Sequence, residues 1–304
     1  VLERRDVVGG AAITETPWGP AYKVTALSYV VSLLPPAIIE ELALPRFGYK
    51  VYPQHGYFAP RADGRYLMLP EDRARRAAEV GKFEPADVAA LEAWDAWLGR
   101  LAAVLGPLLT TVPPRIGSRH PRELWRQLAL AWKLRGLDAT GVADVTRLMT
   151  MSVADLLDDS FASPALKGVL AVSGIIGTWA GPRSPGTAYV MAHHKLGDVG
   201  LGQQGAWGFP EGGMGGVTQA LAAAARAAGV TIVTEAEVAR IEVDDGAVTG
   251  VALADGRAYQ APVVIATTHP QRTFLEHLDP AALPADFVAA IRRWKSRSRV
   301  VKVN

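Results

Sequence analysis

The stretch from residue 205 to residue 280 constrains this chain most. Gly205, Gly208, Gly212, Gly213, Gly215 and Gly216 crowd its start, and an alanine-rich run follows directly. That run predicts a helix over about residues 217–228, ended by Gly229. Apolar runs at 231–234, 238–243 and 248–253 predict short strands. Asp244-Asp245-Gly246 and Ala254-Asp255-Gly256 read as tight turns, because glycine tolerates positive φ and aspartate bonds its own backbone. Residues 263–266 are apolar without alternation, the pattern of a strand buried in a parallel sheet. Helix and strand in this order give an α/β class.

The remainder divides into two zones. Residues 1–42 hold the end of an apolar strand, a Gly9-Gly10 turn and an apolar stretch. Residues 43–203 are mixed and largely helical, with a β-like patch over 49–69. A helix beginning near Pro85 is marked by the spaced apolar positions Val88, Leu91, Trp94, Leu98 and Leu101. Further helices are predicted over 124–134, 142–149, 153–157 and 164–172. Trp94, Trp97, Trp125 and Trp132 have helical spacing and are expected in the core, some of them lining an apolar cavity. Residues 181–186 read as a structured loop.

Composition removes several classes of function. Apolar residues make up 49% and charged residues 20%, as in a globular protein. Lysine plus arginine (32) nearly balances aspartate plus glutamate (30), so electrostatics gives no case for a nucleic-acid partner. There is no cysteine, which excludes disulfides, thiolate nucleophiles and cysteine-held metals from this stretch. No metal is expected from the histidines either, since His193-His194 lacks a third ligand at suitable spacing. No secretory signal opens the chain, and the cytoplasm is the default compartment. The apolar runs at 26–39 and 168–180 fall short of the ~20 residues of a membrane span. Both ends read as cut: Val1-Leu2 looks like the close of a longer strand, and 299–304 alternates like a strand without a cap.

Candidate chemistry starts at Glu3. An acidic side chain ending the second strand of a dinucleotide-binding βαβ unit accepts hydrogen bonds from ribose hydroxyls. Glu3 follows an apolar strand end, though an ordinary exposed carboxylate would look the same. Gly9-Gly10 would let backbone approach a cofactor, or simply form a turn. Residues 212–216 could offer N–H groups to an anion at a helix N-terminus, or pack that helix tightly on a sheet. Thr267-Thr268-His269-Pro270 follows an apolar strand pattern, at the sheet edge where ligands gather in open α/β folds. His193 and His194 cannot both face one way, and a structural role is favoured over proton transfer for the pair.

The run Leu2-Glu3-Arg4-Arg5 with Gly9-Gly10-Ala11-Ala12 resembles FAD enzymes of the phytoene desaturase and amine oxidase superfamily. Gly205-Ala206-Trp207-Gly208 through Gly212-Gly213-Met214-Gly215 is similar to a narrower, phytoene-dehydrogenase-like group, the pyridine nucleotide-disulfide oxidoreductase domain-containing protein 2 family. The resemblance runs over essentially the whole chain. It implies a discontinuous Rossmann-like FAD-binding domain with an inserted, mixed and largely helical substrate domain. The divisions are 1–42 and 204–284 for FAD, 43–203 for substrate, and 285–304 as the start of a return to the substrate domain. It also implies FAD as cofactor, with Glu3 at the adenosine ribose, Arg5, Gly9, Gly10 and Ala11 beside the adenosine diphosphate, backbone of Val238 at the adenine, and Thr267 near the flavin nucleotide. The upstream Gly-x-Gly-x-x-Gly turn and the C-terminal part lie outside this chain.

The implied activity is dehydrogenation or desaturation of an apolar or amphipathic small molecule by hydride transfer to flavin, the piece alone being inactive. Two alternatives stand beside it. One is a flavin amine oxidase, against which Ala11 speaks, since that position usually carries arginine there. The other is a non-catalytic binding or assembly protein retaining the fold. No disulfide reductase chemistry is expected without a dithiol. A mitochondrial matrix home fits the animal relatives, and a lipid substrate would bring peripheral membrane contact without an integral segment. No catalytic base and no oligomeric state can be read from the residues.

Overall fold

The computed structural model describes residues 1–202, 205–296 and 300–303. They fall into two compact units. One comprises Val1–Tyr29, Leu42–Lys50 and Glu211–Asn304, and the other Val30–Glu41 and Val51–Pro210. In chain order the elements are strands β1 (Thr14–Glu15) and β2 (Val24–Thr25), helix α1 (Pro36–Glu41), and strands β3 (Val51–Pro53), β4 (Gly56–Pro60) and β5 (Tyr66–Pro70). Helices α2 (Arg73–Gly81), α3 (Ala86–Leu105), α4 (Pro121–Leu134), α5 (Ala139–Thr150), α6 (Val153–Asp158), α7 (Pro164–Ile175) and α8 (Thr187–His193) follow. Then come β6 (Gly208–Pro210), α9 (Met214–Ala227), β7 (Val238–Asp244), β8 (Ala247–Leu253), β9 (Ala258–Gln260), the single turn α10 (Pro270–Arg272) and α11 (Ala285–Arg293).

The helical unit is built on α3. Leu91, Trp94, Leu98, Leu101 and Leu105 recur every three or four residues, so they line one stripe, and all are buried. Leu148 of α5, Val153, Leu156 and Leu157 of α6, Leu166 of α7 and Met191 of α8 join the same core. Each such side chain, fully buried, contributes roughly 1.5–3 kcal/mol of transfer free energy. Helices start where the sequence places short polar residues. Asp72, Asp138, Ser152 and Ser163 each accept a hydrogen bond from the backbone N–H three residues on. Asp87, buried in the first turn of α3, reaches much further. Its Oδ1 accepts from Ala162 N at 2.9 Å and its Oδ2 from Ser163 N at 2.8 Å. One carboxylate thus fixes the loop that leads into α7.

The other unit carries the predicted meander. β7, β8 and β9 form an antiparallel sheet in that order, and Asp245 and Gly246 both take positive φ in the β7–β8 turn. Helix α9 begins at Met214, a turn earlier than the alanine run predicts, because the glycines themselves enter the helix. Residues 1–5 pair in parallel with 231–236. Val233 N donates to Val1 O, and Glu3 N to Val233 O, each at 2.9 Å.

Two expectations of burial fail. Residues 263–266 form no strand, and Ile265 is 87% exposed. An apolar strand is buried only when neighbours take its N–H and C=O groups, and no described strand ladders with it. Trp94 is buried and Trp97 packs against the core, but Trp125 and Trp132 stand in solvent. Of the alternating run at 299–304, residues 299 and 304 lie outside the described residues, and 300–303 form no regular strand. Among the described residues no helix is long and apolar enough to cross a membrane.

Candidate functional site

Glu3 closes the segment that pairs with 231–236. Its backbone is held on both sides, with the N–H on Val233 O and the carbonyl accepting from Ala236 N, each at 2.9 Å. Its Oε1 accepts from Arg5 N at 2.8 Å. The other carboxylate oxygen has no protein partner among the described residues, so it is free to accept from a ligand hydroxyl. The Arg5 carbonyl accepts from Glu235 N at 2.9 Å, and its guanidinium lies 3.4 Å from Glu15. Arg4 and Glu237 face each other at 4.0 Å. Val238, half-buried at the start of β7, therefore begins its strand two residues beyond the Ala236 bond to Glu3.

The Gly9-Gly10 turn is closed by Ala12 N donating to Gly9 O at 2.8 Å. Gly9 has φ +131°, and a Cβ there would lie 2.7 Å from Thr218 Oγ1 and 2.9 Å from Ala12 O. Only glycine fits between this turn and α9. Gly10, at φ +55°, faces open space, and Ala11 beside it is exposed. The turn thus presents bare backbone outward, as a group laid along it would require.

The glycine run before α9 resolves the other way. Thr14 Oγ1 accepts from Gly215 N at 3.0 Å and donates to Gly212 O at 2.7 Å. Thr25 Oγ1 accepts from Met214 N at 3.3 Å. A Cβ on Gly213 would sit 2.5 Å from Thr14 Oγ1. The glycines let the β1–β2 hairpin lie directly on the helix start, and threonine hydroxyls take the N–H groups an anion would need. Close packing of the hairpin on α9 is what these glycines permit. No residue pattern marks Thr14 and Thr25 for this task in advance.

Glu3, Arg5 and Val238 are thus joined through residues 231–236, and Gly9, Gly10 and Ala11 follow on the same short segment. Thr267 is not brought into this cluster by any hydrogen bond among the described residues. It lies exposed on the extended 263–269 stretch, next to Thr268, whose hydroxyl is 2.6 Å from that of Thr273.

One of the cavities of the helical unit, of about 160 Å³, is walled by Trp94, Leu98, Val169 and Met191. Arg76, paired with Asp95 at 3.0 Å, supplies its polar side. Lys195 also lines it. Its side chain keeps solvent access, yet the crowding protein lowers the ammonium pKa by desolvation. Lys195 escapes sequence reasoning because nothing distinguishes it from a surface lysine.

His193 and His194 diverge, as adjacent positions must. His194 Nδ1 is 2.8 Å from Val190 O, a structural bond. His193 Nδ1 is buried without a partner, and burial, then the neighbouring His194, hold its pKa below the usual 6.5. The fold keeps this ring neutral while the unfolded chain takes up a proton as pH falls through about 6.5. Stability is therefore lost on the acid side. Melting temperatures measured between neutral pH and mildly acidic pH should fall less steeply in His193→Gln than in the parent.

The model of the flavin containing amine oxidoreductase family matches residues 39–303. The chain is similar to the rat pyridine nucleotide-disulfide oxidoreductase domain-containing protein 2, with 34% identity over 100% of this chain and 55% of that protein. It is 29% identical to an uncharacterized protein of Mycobacterium bovis over 80% of this chain and 44% of that one. It therefore spans about half the length of the curated relatives it matches. An oxidoreductase from Methanosarcina mazei shares its fold at TM-score 0.51 and 16% identity, covering 96% of this chain and 58% of that one. A putrescine oxidase variant does so at TM-score 0.52 and 16% identity, covering 96% and 57%.

Proposed function

This chain belongs to the flavin containing amine oxidoreductase family, and on that premise we propose that it supplies the adenosine side of an FAD site in a full-length dehydrogenase. FAD is the family's cofactor. The observation that carries the reading is the Glu3 carboxylate. It is fixed at a strand end by backbone pairing, with one oxygen on Arg5 N and the other left for a ribose hydroxyl. The open backbone at Gly10 and Ala11 fits a diphosphate passing beside it, and the backbone of Val238 would face the adenine. Arg5 adds positive charge on the same segment. Thr267 completes the proposed set from the 263–269 stretch.

Bound FAD would supply the oxidising chemistry, taking a hydride equivalent from a substrate C–H bond. The protein's own part is to hold the nucleotide and to bind the substrate. The cavity sets an apolar wall of Trp94, Leu98, Val169 and Met191 against the polar Glu71, Arg76, Asp95 and Lys195, which supports an amphipathic substrate. Desaturation is the favoured reaction. Amine oxidation is the second reading, favoured by the fold shared with putrescine oxidase and opposed by Ala11. This piece alone is expected to be inactive, and the cytoplasm or a mitochondrial matrix is the expected setting.

The test is the visible spectrum of the purified full-length protein, with released flavin identified by chromatography. Stoichiometric FAD is expected, followed by anaerobic bleaching when an oxidisable substrate is added. Flavin-free protein that stays colourless after reconstitution with FAD would leave a fold kept for binding or assembly.

A further inference from the structure

Helix α4 has an apolar face that points away from its own unit. Glu123, Gln127, Leu130 and Leu134 lie on one side and are half-buried. Leu124, Trp125, Leu128 and Trp132 lie on the other, and Trp125 is 72%, Leu128 63% and Trp132 67% exposed. No residue of α4 is fully buried. The loop before it adds Val112 and Ile116, the latter 78% exposed. Single exposed apolar residues are ordinary, but a contiguous set with two tryptophans is not.

The loop is fastened to the helix. Gln127 Nε2 donates to Arg115 O at 2.9 Å and Ser118 O at 3.2 Å, and Lys133 Nζ donates to Thr111 Oγ1 at 2.7 Å. Arg115 N donates to Glu123 Oε2 at 2.8 Å. Loop and helix therefore present their apolar side chains as one preformed surface, about 21 Å long at 1.5 Å rise per helical residue.

Charge selects the partner. Residues 109–135 contain Arg115, Arg119, Arg122, Arg126, Lys133 and Arg135 against the single carboxylate Glu123. Among the described residues only Arg126 of these six is paired with a carboxylate, and that carboxylate is Glu123 on the inner side. The Arg135 guanidinium stacks 3.7 Å from the Trp132 ring, at the edge of the apolar face. Tryptophan and leucine on one face with basic residues around them, in a helix too short to span, is the composition of a helix that lies in a membrane interface.

We propose that α4 and its preceding loop dock this protein on the surface of a bilayer containing anionic phospholipid. Trp125, Leu128 and Trp132 enter the headgroup–acyl boundary, and the arginines meet lipid phosphates. The inference rests on this surface alone and is independent of flavin binding.

The test uses full-length protein and vesicles of phosphatidylcholine with or without about one third phosphatidylglycerol, separated by flotation. Binding is expected to be about ten-fold or more stronger with the anionic lipid, to weaken with salt, and to be lost in the double variant Trp125→Ser/Trp132→Ser. This chain has no cysteine, so once any cysteine elsewhere in the full-length protein is replaced by serine, Leu128→Cys and Glu84→Cys each accept a polarity-sensitive dye at one place. The dye at position 128 should shift blue on anionic vesicles, and the dye at position 84 should not, which reads the surface even if the double variant folds poorly. The proposal is overturned if the parent protein does not float with anionic vesicles, or if the label at 128 is unmoved. It is equally overturned if the tryptophan pair instead mediates dimerisation seen by sedimentation without lipid.

Discussion

Replacing Asp87 by alanine should destabilise the protein by about 3 kcal/mol, because a buried N–H of Ser163 and a part-buried N–H of Ala162 lose a charged acceptor at once. The carboxylate is 2% exposed and is bonded to Ala162 N and Ser163 N, 75 and 76 residues away. Ser163 N lies where water does not readily replace the lost acceptor. At about 2–4 °C per kcal/mol for a unit of this size, the melting temperature should drop by roughly 6–12 °C. Asp87→Asn should fall between parent and alanine variant, since its amide retains one acceptor and turns a donor towards the second N–H. Urea unfolding followed by circular dichroism at neutral pH measures this. A loss below about 1 kcal/mol would mean the α7 loop is held by its packing instead.

The second large effect concerns flavin. In the full-length protein, Glu3→Ala should weaken FAD binding by about 10–100-fold, the size of a lost hydrogen bond to a charged group. Glu3→Gln retains an acceptor for Arg5 N and should lose less. Titration of apoprotein with FAD, read by quenching of flavin fluorescence, gives the affinities. A melt without flavin separates a binding defect from a folding one, since Glu3 Oε1 also braces the chain at Arg5. Undiminished affinity in the alanine variant would remove Glu3 from the site.

Much of the fold is legible in the residues because local rules decide it. The α3 stripe and the Asp245-Gly246 turn each follow from side-chain spacing or backbone conformation within a few positions. What sequence cannot convey is direction and partnership. Helical spacing places Trp125 and Trp132 on one face, but whether that face meets core or solvent depends on distant elements. Residues 263–266 have a buried strand's composition, yet burial needs a neighbour that no local pattern supplies. At the candidate site, Glu3 is readable as an acid ending an apolar strand. The threonine hydroxyls that occupy the start of α9 are not, because Thr14 and Thr25 meet it only in three dimensions.

The pairing of the first residues with 231–236 also orders events during synthesis. Val1 N donates to Thr231 O across 230 positions of chain. Those first residues leave the ribosome long before their partner exists, by on the order of tens of seconds at ordinary elongation rates. In that interval the helical unit, whose contacts lie wholly within the intervening sequence, can complete its core. The segment carrying Glu3 must wait for this pairing until residues 231–236 emerge. The carboxylate at position 3 is therefore set in place only once residues 231–236 have been made and have paired with its segment.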